Sequence, residues 1–297
     1  MKIDKPKLTI IVPIYNEEQV LASTAIKIID YCSLKNWLVI FINDGSLDHS
    51  GSFLDSIAIS PQVTVFHHKV NRGYGGAIKT GIRNTDTPYL VTMDADGQHA
   101  LEDIDMLYNL AQEKNADLIV GNRGAMGDAN PYRAVGKRII RTFARILMPL
   151  PIEDLNSGFK LYRTELAKKY IKICPDTMAF SDVITLAFIK QRNLVLEQNI
   201  TVKPRVAGKS TINTFTALET IMEILNIAVL FNPLRVFLPI SLLCILFGLI
   251  WGASRLMIIG QGISVGAMLA IVTGIIFFVL GLLANQISAL RMEQLQE

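Results

Sequence analysis

The stretch Tyr89-Leu90-Val91-Thr92-Met93-Asp94-Ala95-Asp96-Gly97-Gln98-His99 decides how this chain is read. Tyr89 to Val91 is a short apolar run, the pattern of a buried strand. Asp94 and Asp96 follow it, two residues apart at the strand end, where their oxygens can converge on one hard cation. Gly97 lets the chain turn sharply after them. The stretch predicts a divalent metal site that holds a diphosphate. An isolated Asp-x-Asp is more often an acidic surface turn, so the neighbouring elements must decide. A calcium loop of the Asp-x-Asp-x-Asp-Gly type is excluded, because Gly97 comes too early.

Working outward, similar apolar runs recur and each ends in a polar cluster. Leu8 to Val12 predicts a first strand, ending in Pro13, Ile14, Tyr15, Asn16 and Glu17, with a helix to about Tyr31. Leu38 to Ile42 predicts a second, ending in Asn43, Asp44, Gly45 and Ser46. Val63 to Phe66 is the third; the loop Asn71 to Ala77 then leads into a helix through Ile82. Helix Leu101 to Lys114 follows the metal stretch, and strand Asp117 to Val120 ends in Gly121, Asn122 and Arg123. Strands alternating with helices predict a mostly parallel sheet with helices on both faces. Such sheets bind ligands beyond the carboxyl ends of their strands, where the polar clusters fall.

The bulk numbers are consistent with this and add a membrane component. The chain has 297 residues, which predicts about two domains. It is 51% apolar, an excess concentrated in the last quarter. A net charge of +3 is too small to point to nucleic acid. Met1 to Pro6 is charged and Leu8 to Pro13 is too short for the core of an export signal, so none is expected. Cys32, Cys174 and Cys244 are isolated, which predicts neither disulfides nor a zinc cluster, and a reducing compartment for the front of the chain.

After the fifth strand, Asn130 and Pro131 suit a helix start. Arg133, Lys137, Arg141 and Arg145 then recur every four residues, with Arg138 broadening the stripe. The stripe is either a solvated face or a surface for an anionic ligand or lipid. Asp154-Leu155-Asn156-Ser157-Gly158-Phe159-Lys160 follows, then a helix from about Glu165 and a late strand over Leu194 to Val202. A basic link, Lys203 to Ser210, leads to Thr216 to Leu230, apolar at helical spacing and read as an interfacial helix. Val236 to Ser254 carries no charge over 19 residues, which spans about 30 Å as a helix. Ser264 to Ser288 is a second uncharged run, separated from the first by Arg255 and the Gly260-Gln261-Gly262 turn. Two crossings return the C-terminus to its starting side, and both ends are expected to be cytoplasmic.

Three motif readings fail. Gly73-Tyr74-Gly75-Gly76 does not fit Gly-x-Gly-x-x-Gly, because position 78 is Ile, and that loop lacks the Gly-Lys-Ser/Thr of a phosphate loop. His67, His68 and His99 are too scattered for a metal triad. Asp44, at a strand end beside Gly45 and Ser46, suits hydrogen bonds to a base or ribose, or a plain turn.

Taken together, Pro13-Ile14-Tyr15-Asn16-Glu17, Asn43-Asp44-Gly45-Ser46 with Asp48, Asn71-Arg72-Gly73 through Ala77, Asp94 through His99, and Gly121-Asn122-Arg123 resemble the family 2 glycosyltransferases. Within that family Asp154 to Lys160, the link Arg205 to Ser210 and the paired C-terminal crossings are similar to the polyprenyl-phosphate sugar transferases of the dolichyl-phosphate mannose synthase and bactoprenol glucosyltransferase type. Lys160 departs from the common Arg there, and an ammonium cannot make a guanidinium's fork-type contact.

The resemblance implies an α/β, GT-A type (Rossmann-like) domain over 1–212, a juxtamembrane amphipathic helix over 213–233, a transmembrane hairpin over 234–290 and a cytoplasmic tail over 291–297. It implies inverting transfer of one sugar from a UDP- or GDP-linked donor to polyprenyl (undecaprenyl) phosphate at the cytoplasmic face of a bacterial-type inner membrane. Pro13, Tyr15, Glu17, Asp44, Asn71, Gly73, Lys79, Asp94 and Ala95 would hold the nucleotide-sugar. Asp94, Asp96 and Gln98 would bind Mg²⁺ or Mn²⁺. Arg123, Arg133, Arg138, Ser157 and Lys209 would meet the acceptor phosphate, and Asp96, Arg123 and Asp154 would serve catalysis, Asp154 as base or orienting group. A homo-oligomer, and a flippase or periplasmic transferase downstream, are the expected partners. A processive glycan synthase is the competing enzyme reading, disfavoured because no Gln-x-x-Arg-Trp motif occurs. A membrane scaffold that binds a nucleotide-sugar without turnover is the non-enzyme alternative.

Overall fold

A computed structural model describes residues 5–124, 152–202, 225–260 and 264–293. These form two compact units, 5–124 with 152–202, and 225–260 with 264–293. The expected basic stripe (Arg133, Lys137, Arg138, Arg141, Arg145), Lys209 with the rest of its link, and the front of the interfacial helix lie outside the described residues.

The first unit runs β1 (Leu8–Ile14), α1 (Glu18–Lys35), β2 (Leu38–Asn43), α2 (Ser50–Ile57), β3 (Val63–His67), α3 (Tyr74–Arg83), β4 (Tyr89–Thr92), α4 (Glu102–Lys114), β5 (Leu118–Asn122), β6 (Lys160–Arg163), α5 (Thr164–Tyr170), α6 (Phe180–Lys190) and β7 (Val195–Asn199). One sheet results, in the order β3-β2-β1-β4-β6-β5-β7. Every pairing is parallel except those of β6, which runs antiparallel to both β4 and β5. The chain moves outward from β1 to β3 and then crosses back to β4 on the other side of β1. The β1/β4 boundary is therefore a switch point, the place where such sheets open a crevice for ligand.

Strand residues alternate between faces, and because both faces are buried the strands are apolar almost without a break. Leu8, Ile10 and Val12 of β1, Val39 and Phe41 of β2 and Val91 of β4 join one core with Leu21, Ala25 and Ile28 of α1 and Ile104, Leu107 and Ala111 of α4. Tyr162 of β6 points to the opposite layer, where Phe188 of α6 meets both it and Tyr170 of α5, the latter edge-on at 4.7 Å between centroids. Each fully buried aliphatic or aromatic side chain contributes about 1.5–3 kcal/mol, so both helical layers are held firmly to the sheet.

Four elements differ from expectation. Sequence patterning leaves β6 unassigned, because Lys160 and Arg163 bracket only Leu161 and Tyr162; yet Lys160 is wholly buried in the sheet. Helices α2 and α6 were likewise not foreseen; α6 is buried along most of its length and shows no polar stripe to set its period. The late strand covers only Val195–Asn199, with Val202 making a separate bridge to His99.

The second unit contains α7 (Pro233–Ser254), a π-helical turn (Arg255–Ile259) and α8 (Val265–Glu293). Pro233–Ile258 and Val265–Glu293, with mean hydropathies of 2.4 and 2.7, are long and apolar enough to cross a membrane. Ala267, Gly274, Gly281 and Ser288 recur every seven residues and are the buried side of α8. A seven-residue repeat keeps one stripe against a partner helix, and small residues let the backbones approach. Ser241 Oγ uses that closeness to donate to the Gly274 carbonyl at 2.8 Å. Residues 225–231 are also helical, and Ser288 Oγ donates to the Leu230 carbonyl at 2.6 Å.

Candidate active site

The polar clusters foreseen at the strand ends meet around one cavity of about 570 Å³. β1 delivers Pro13 and Tyr15, and Glu17 follows just before α1. β2 ends next to Asp44, and the loop before α3 supplies Asn71 and Gly73. β4 is followed by Asp94, Ala95, Asp96 and Gln98, and β5 by Arg123. All of these line the cavity. Lys79, Asp154 and Ser157 do not, and Arg133, Arg138 and Lys209 lie outside the described residues.

Asp44 is buried, and its carboxylate organises the loop before α3 at the cavity. Its Oδ1 accepts from the Arg72 amide at 2.9 Å and lies 2.6 Å from His68 Nδ1. Its Oδ2 accepts from the Gly73 amide at 2.9 Å. His68 Nε2 lies 2.9 Å from Thr80 Oγ1, which ties this network to α3. Gly73 has φ of 85°, a left-handed conformation that favours glycine. His68 was dismissed as scattered on sequence grounds; nothing local signals that it reaches back to Asp44.

At the end of β4 the Asp96 carboxylate accepts from the Gln98 amide at 3.1 Å, fixing the turn after Gly97. Asp94 faces Gly158 and Tyr74: a methyl group on Gly158 would stand 3.3 and 3.4 Å from the two Asp94 oxygens and 2.9 Å from Tyr74 Oη. Burial and the nearby Asp94 charge drive the Tyr74 phenol well above its usual pKa, so it stays protonated. Among the described residues no three His, Cys, Asp or Glu side chains converge as a closed metal cage. Asp94 and Asp96 nevertheless share one cavity with Gln98, an all-oxygen donor set that fits Mg²⁺ or Mn²⁺ better than a softer metal. Mg²⁺ in particular is commonly held by one or two carboxylates plus phosphate oxygens and water.

His99 turns away from this set. Its ring stacks on Phe159 at 4.6 Å, with 18° between the planes. Burial lowers its pKa to about 4, with Asp96 opposing and Arg123 reinforcing. It stands as a neutral ring.

Arg123 is gripped from behind by Asp154, with Nε and Nη2 donating to the two carboxylate oxygens at 2.8 and 2.9 Å. The Arg123 amide donates to the same carboxylate at 3.2 Å. Burial alone would raise the Asp154 carboxyl, but the Arg123 bonds and charge hold it below the usual carboxylate range. Glu197 of β7 secures the loop, accepting from the Glu153 and Asp154 amides at 2.7 and 2.8 Å.

Lys79 donates to Asp176 at 2.7 Å. Asp176 belongs to the segment before α6; Met178 of that segment and Ser181 of α6 line the cavity. Ser157 is fully buried and offers its carbonyl to Ser181 Oγ at 3.2 Å. The cavity also takes Tyr74, Asn156 and Gly158. Tyr74, Asn156 and Gly158 sit inside quoted motifs, whereas Met178 and Ser181 carry no local signal at all.

Comparison with known proteins follows this geometry. Residues 9–171 match the sequence profile described as Glycosyl transferase family 2, and residues 232–290 that of the GtrB C-terminal hairpin. The chain is similar to a polyprenol monophosphomannose synthase of Mycolicibacterium smegmatis, 29% identical over 226 residues that cover 72% of this chain and 84% of the relative. It is also similar to an undecaprenyl-phosphate 4-deoxy-4-formamido-L-arabinose transferase of Photorhabdus laumondii, 26% identical over 300 residues, covering 95% and 88%. Among solved structures it is similar to glucosyl-3-phosphoglycerate synthase from Mycobacterium tuberculosis in complex with Mn²⁺, UDP-glucose and phosphoglyceric acid. That match has a TM-score of 0.57 at 17% identity and covers 75% of this chain and 80% of the other; at that identity it speaks to the fold alone.

Proposed function

The chain belongs to glycosyl transferase family 2, and from that premise we propose that it transfers one sugar from a UDP- or GDP-linked donor to a polyprenyl phosphate, inverting the sugar carbon. The observation that carries this reading is one cavity with two strand-end carboxylates, Asp94 and Asp96, and an arginine pre-oriented by a third acid, Asp154. The polyprenyl and undecaprenyl relatives support the acceptor class.

The donor nucleotide would lie along Pro13, Tyr15 and the Asp44-organised loop, and its diphosphate would reach Asp94, Asp96 and Gln98. Mg²⁺ or Mn²⁺ held by Asp94 and Asp96 supplies charge neutralisation for the departing diphosphate. Arg123 would meet the acceptor phosphate. A phosphoryl group with a second pKa near 6 is already ionised at neutral pH, so the acceptor oxygen needs no strong base. Positioning and electrostatics then supply most of the rate. Asp154, occupied by Arg123, orients that arginine rather than taking a proton.

The two apolar helices would form a transmembrane hairpin over 234–290, with 1–212 and the tail 291–297 on the cytoplasmic side and 213–233 at the interface. A homo-oligomer packed through these crossings belongs to the same proposal. The test is a screen of labelled UDP-glucose, UDP-N-acetylglucosamine and GDP-mannose against undecaprenyl phosphate with Mg²⁺ or Mn²⁺. Label extracted into the lipid phase from one donor, one sugar per lipid, is the expected result. Donor binding without lipid labelling would favour a non-catalytic sensor instead.

A further inference from the structure

Lys160 is 0% exposed, and a lysine is almost never fully buried without an arrangement that compensates for lost hydration. Its ammonium has three donors, and each finds an oxygen: the Leu155 carbonyl at 2.7 Å, the Ser181 carbonyl at 2.7 Å and Thr185 Oγ1 at 2.8 Å. Two of these oxygens belong to α6. The third belongs to the loop that carries Asp154 and Gly158. All three are neutral, so these contacts hold geometry rather than cancel charge.

We propose that Lys160 is a positioning residue whose ammonium fastens the Asp154–Gly158 loop to α6 and thereby fixes Arg123, through Asp154, at the cavity. Leu155 adjoins Asp154, whose carboxylate takes Arg123 in a two-pronged grip. Ser181 Oγ adds a second stitch to the Ser157 carbonyl. A planar guanidinium, whose donors spread in a fork, could not serve three oxygens converging on one nitrogen. Burial lowers the ammonium pKa, with Asp182 and Asp154 opposing and Arg123 adding to the drop. The ammonium is kept there despite that cost, whereas an apolar side chain of similar volume would fill the space without it.

This inference rests on the proposed transfer for its kinetic readout, and a second readout is independent of it. Lys160→Met is compared with the wild-type protein for acceptor KM, donor KM and backbone amide exchange. Expected are a rise of about tenfold or more in the KM for undecaprenyl phosphate, a donor KM within about twofold, and about tenfold faster exchange of the Arg123 amide, which bonds to Asp154. Thr185→Val removes one of the three acceptors and should shift both readouts the same way by about threefold; it carries the test if Lys160→Met does not fold. If the wild-type protein transfers no sugar, the proposed function fails and amide exchange alone decides. Unchanged exchange at Arg123, or acceptor and donor KM rising together, would overturn the positioning role.

Discussion

Arg123 and Asp154, 31 residues apart in sequence, meet in a two-pronged pair at 2.8 and 2.9 Å, with the Arg123 backbone amide closing a third bond. The guanidinium therefore reaches the cavity already oriented, and the carboxylate behind it is spoken for. Asp154→Asn keeps the shape but removes the charge. Bonds to charged groups are worth about 1.5–3 kcal/mol, so acceptor kcat/KM should fall about 10- to 100-fold, mainly through KM. Steady-state kinetics on undecaprenyl phosphate checks this. A loss confined to kcat and exceeding about a thousandfold would mark Asp154 as a proton acceptor instead.

Lys79, which the family resemblance assigns to the nucleotide, pairs with Asp176 at 2.7 Å, and we propose that it acts through that pair. Lys79→Met and Asp176→Asn should then produce the same modest rise in donor KM, about threefold, and the double variant no further rise, because both remove one contact. Direct nucleotide binding by Lys79 predicts a large effect for Lys79→Met alone. A double-mutant cycle on donor KM separates the two.

Gly158 has no room for a side chain between Tyr74 Oη and the Asp94 carboxylate. Gly158→Ala should displace Asp94 by a few tenths of an ångström. The concentration of Mn²⁺ for half-maximal activity should rise about tenfold, as for other losses of ligand orientation, while the melting temperature changes little. Metal titration of activity, paired with a melt, is the measurement.

His99 predicts a pH dependence of stability. Its folded pKa is about 4, below the ordinary 6.5. Between those values the unfolded chain binds a proton that the folded chain refuses, so stability rises with pH across that window and is lost as pH falls from 6.5 toward 4. The full loss is about 3 kcal/mol. His99→Phe keeps the stack on Phe159 and removes the titration. Its melting temperature in detergent with EDTA should fall less than the wild-type value between pH 7 and 4.5.

Much of this site is legible locally, and the reason is the near-unbroken apolar runs of β1, β2, β4 and β5, the mark of strands buried on both faces. Each apolar run ends abruptly in polar residues, and parallel topology brings those ends together, so the sequence pattern puts Asp44, Asp94, Asp96 and Arg123 at one edge of the sheet. What could not be read depends on distant partners. β6 hides because its first residue is a lysine, which becomes acceptable inside the sheet only through oxygens contributed by Leu155, Ser181 and Thr185. Lys79 and Asp176 are 97 positions apart, and no spacing rule foretells that pair. Ser157 looked like a phosphate contact by its motif; its carbonyl is taken by Ser181 and its side chain is buried.

The most direct measurement is transfer of labelled sugar to undecaprenyl phosphate by the wild-type protein and by the Asp94→Ala, Asp96→Ala double variant, each with Mg²⁺ or Mn²⁺ and the donor that works. Loss of the paired carboxylates should cut transfer by about a thousandfold or more, while both proteins melt within a few degrees of each other. Full turnover in the double variant would contradict the account.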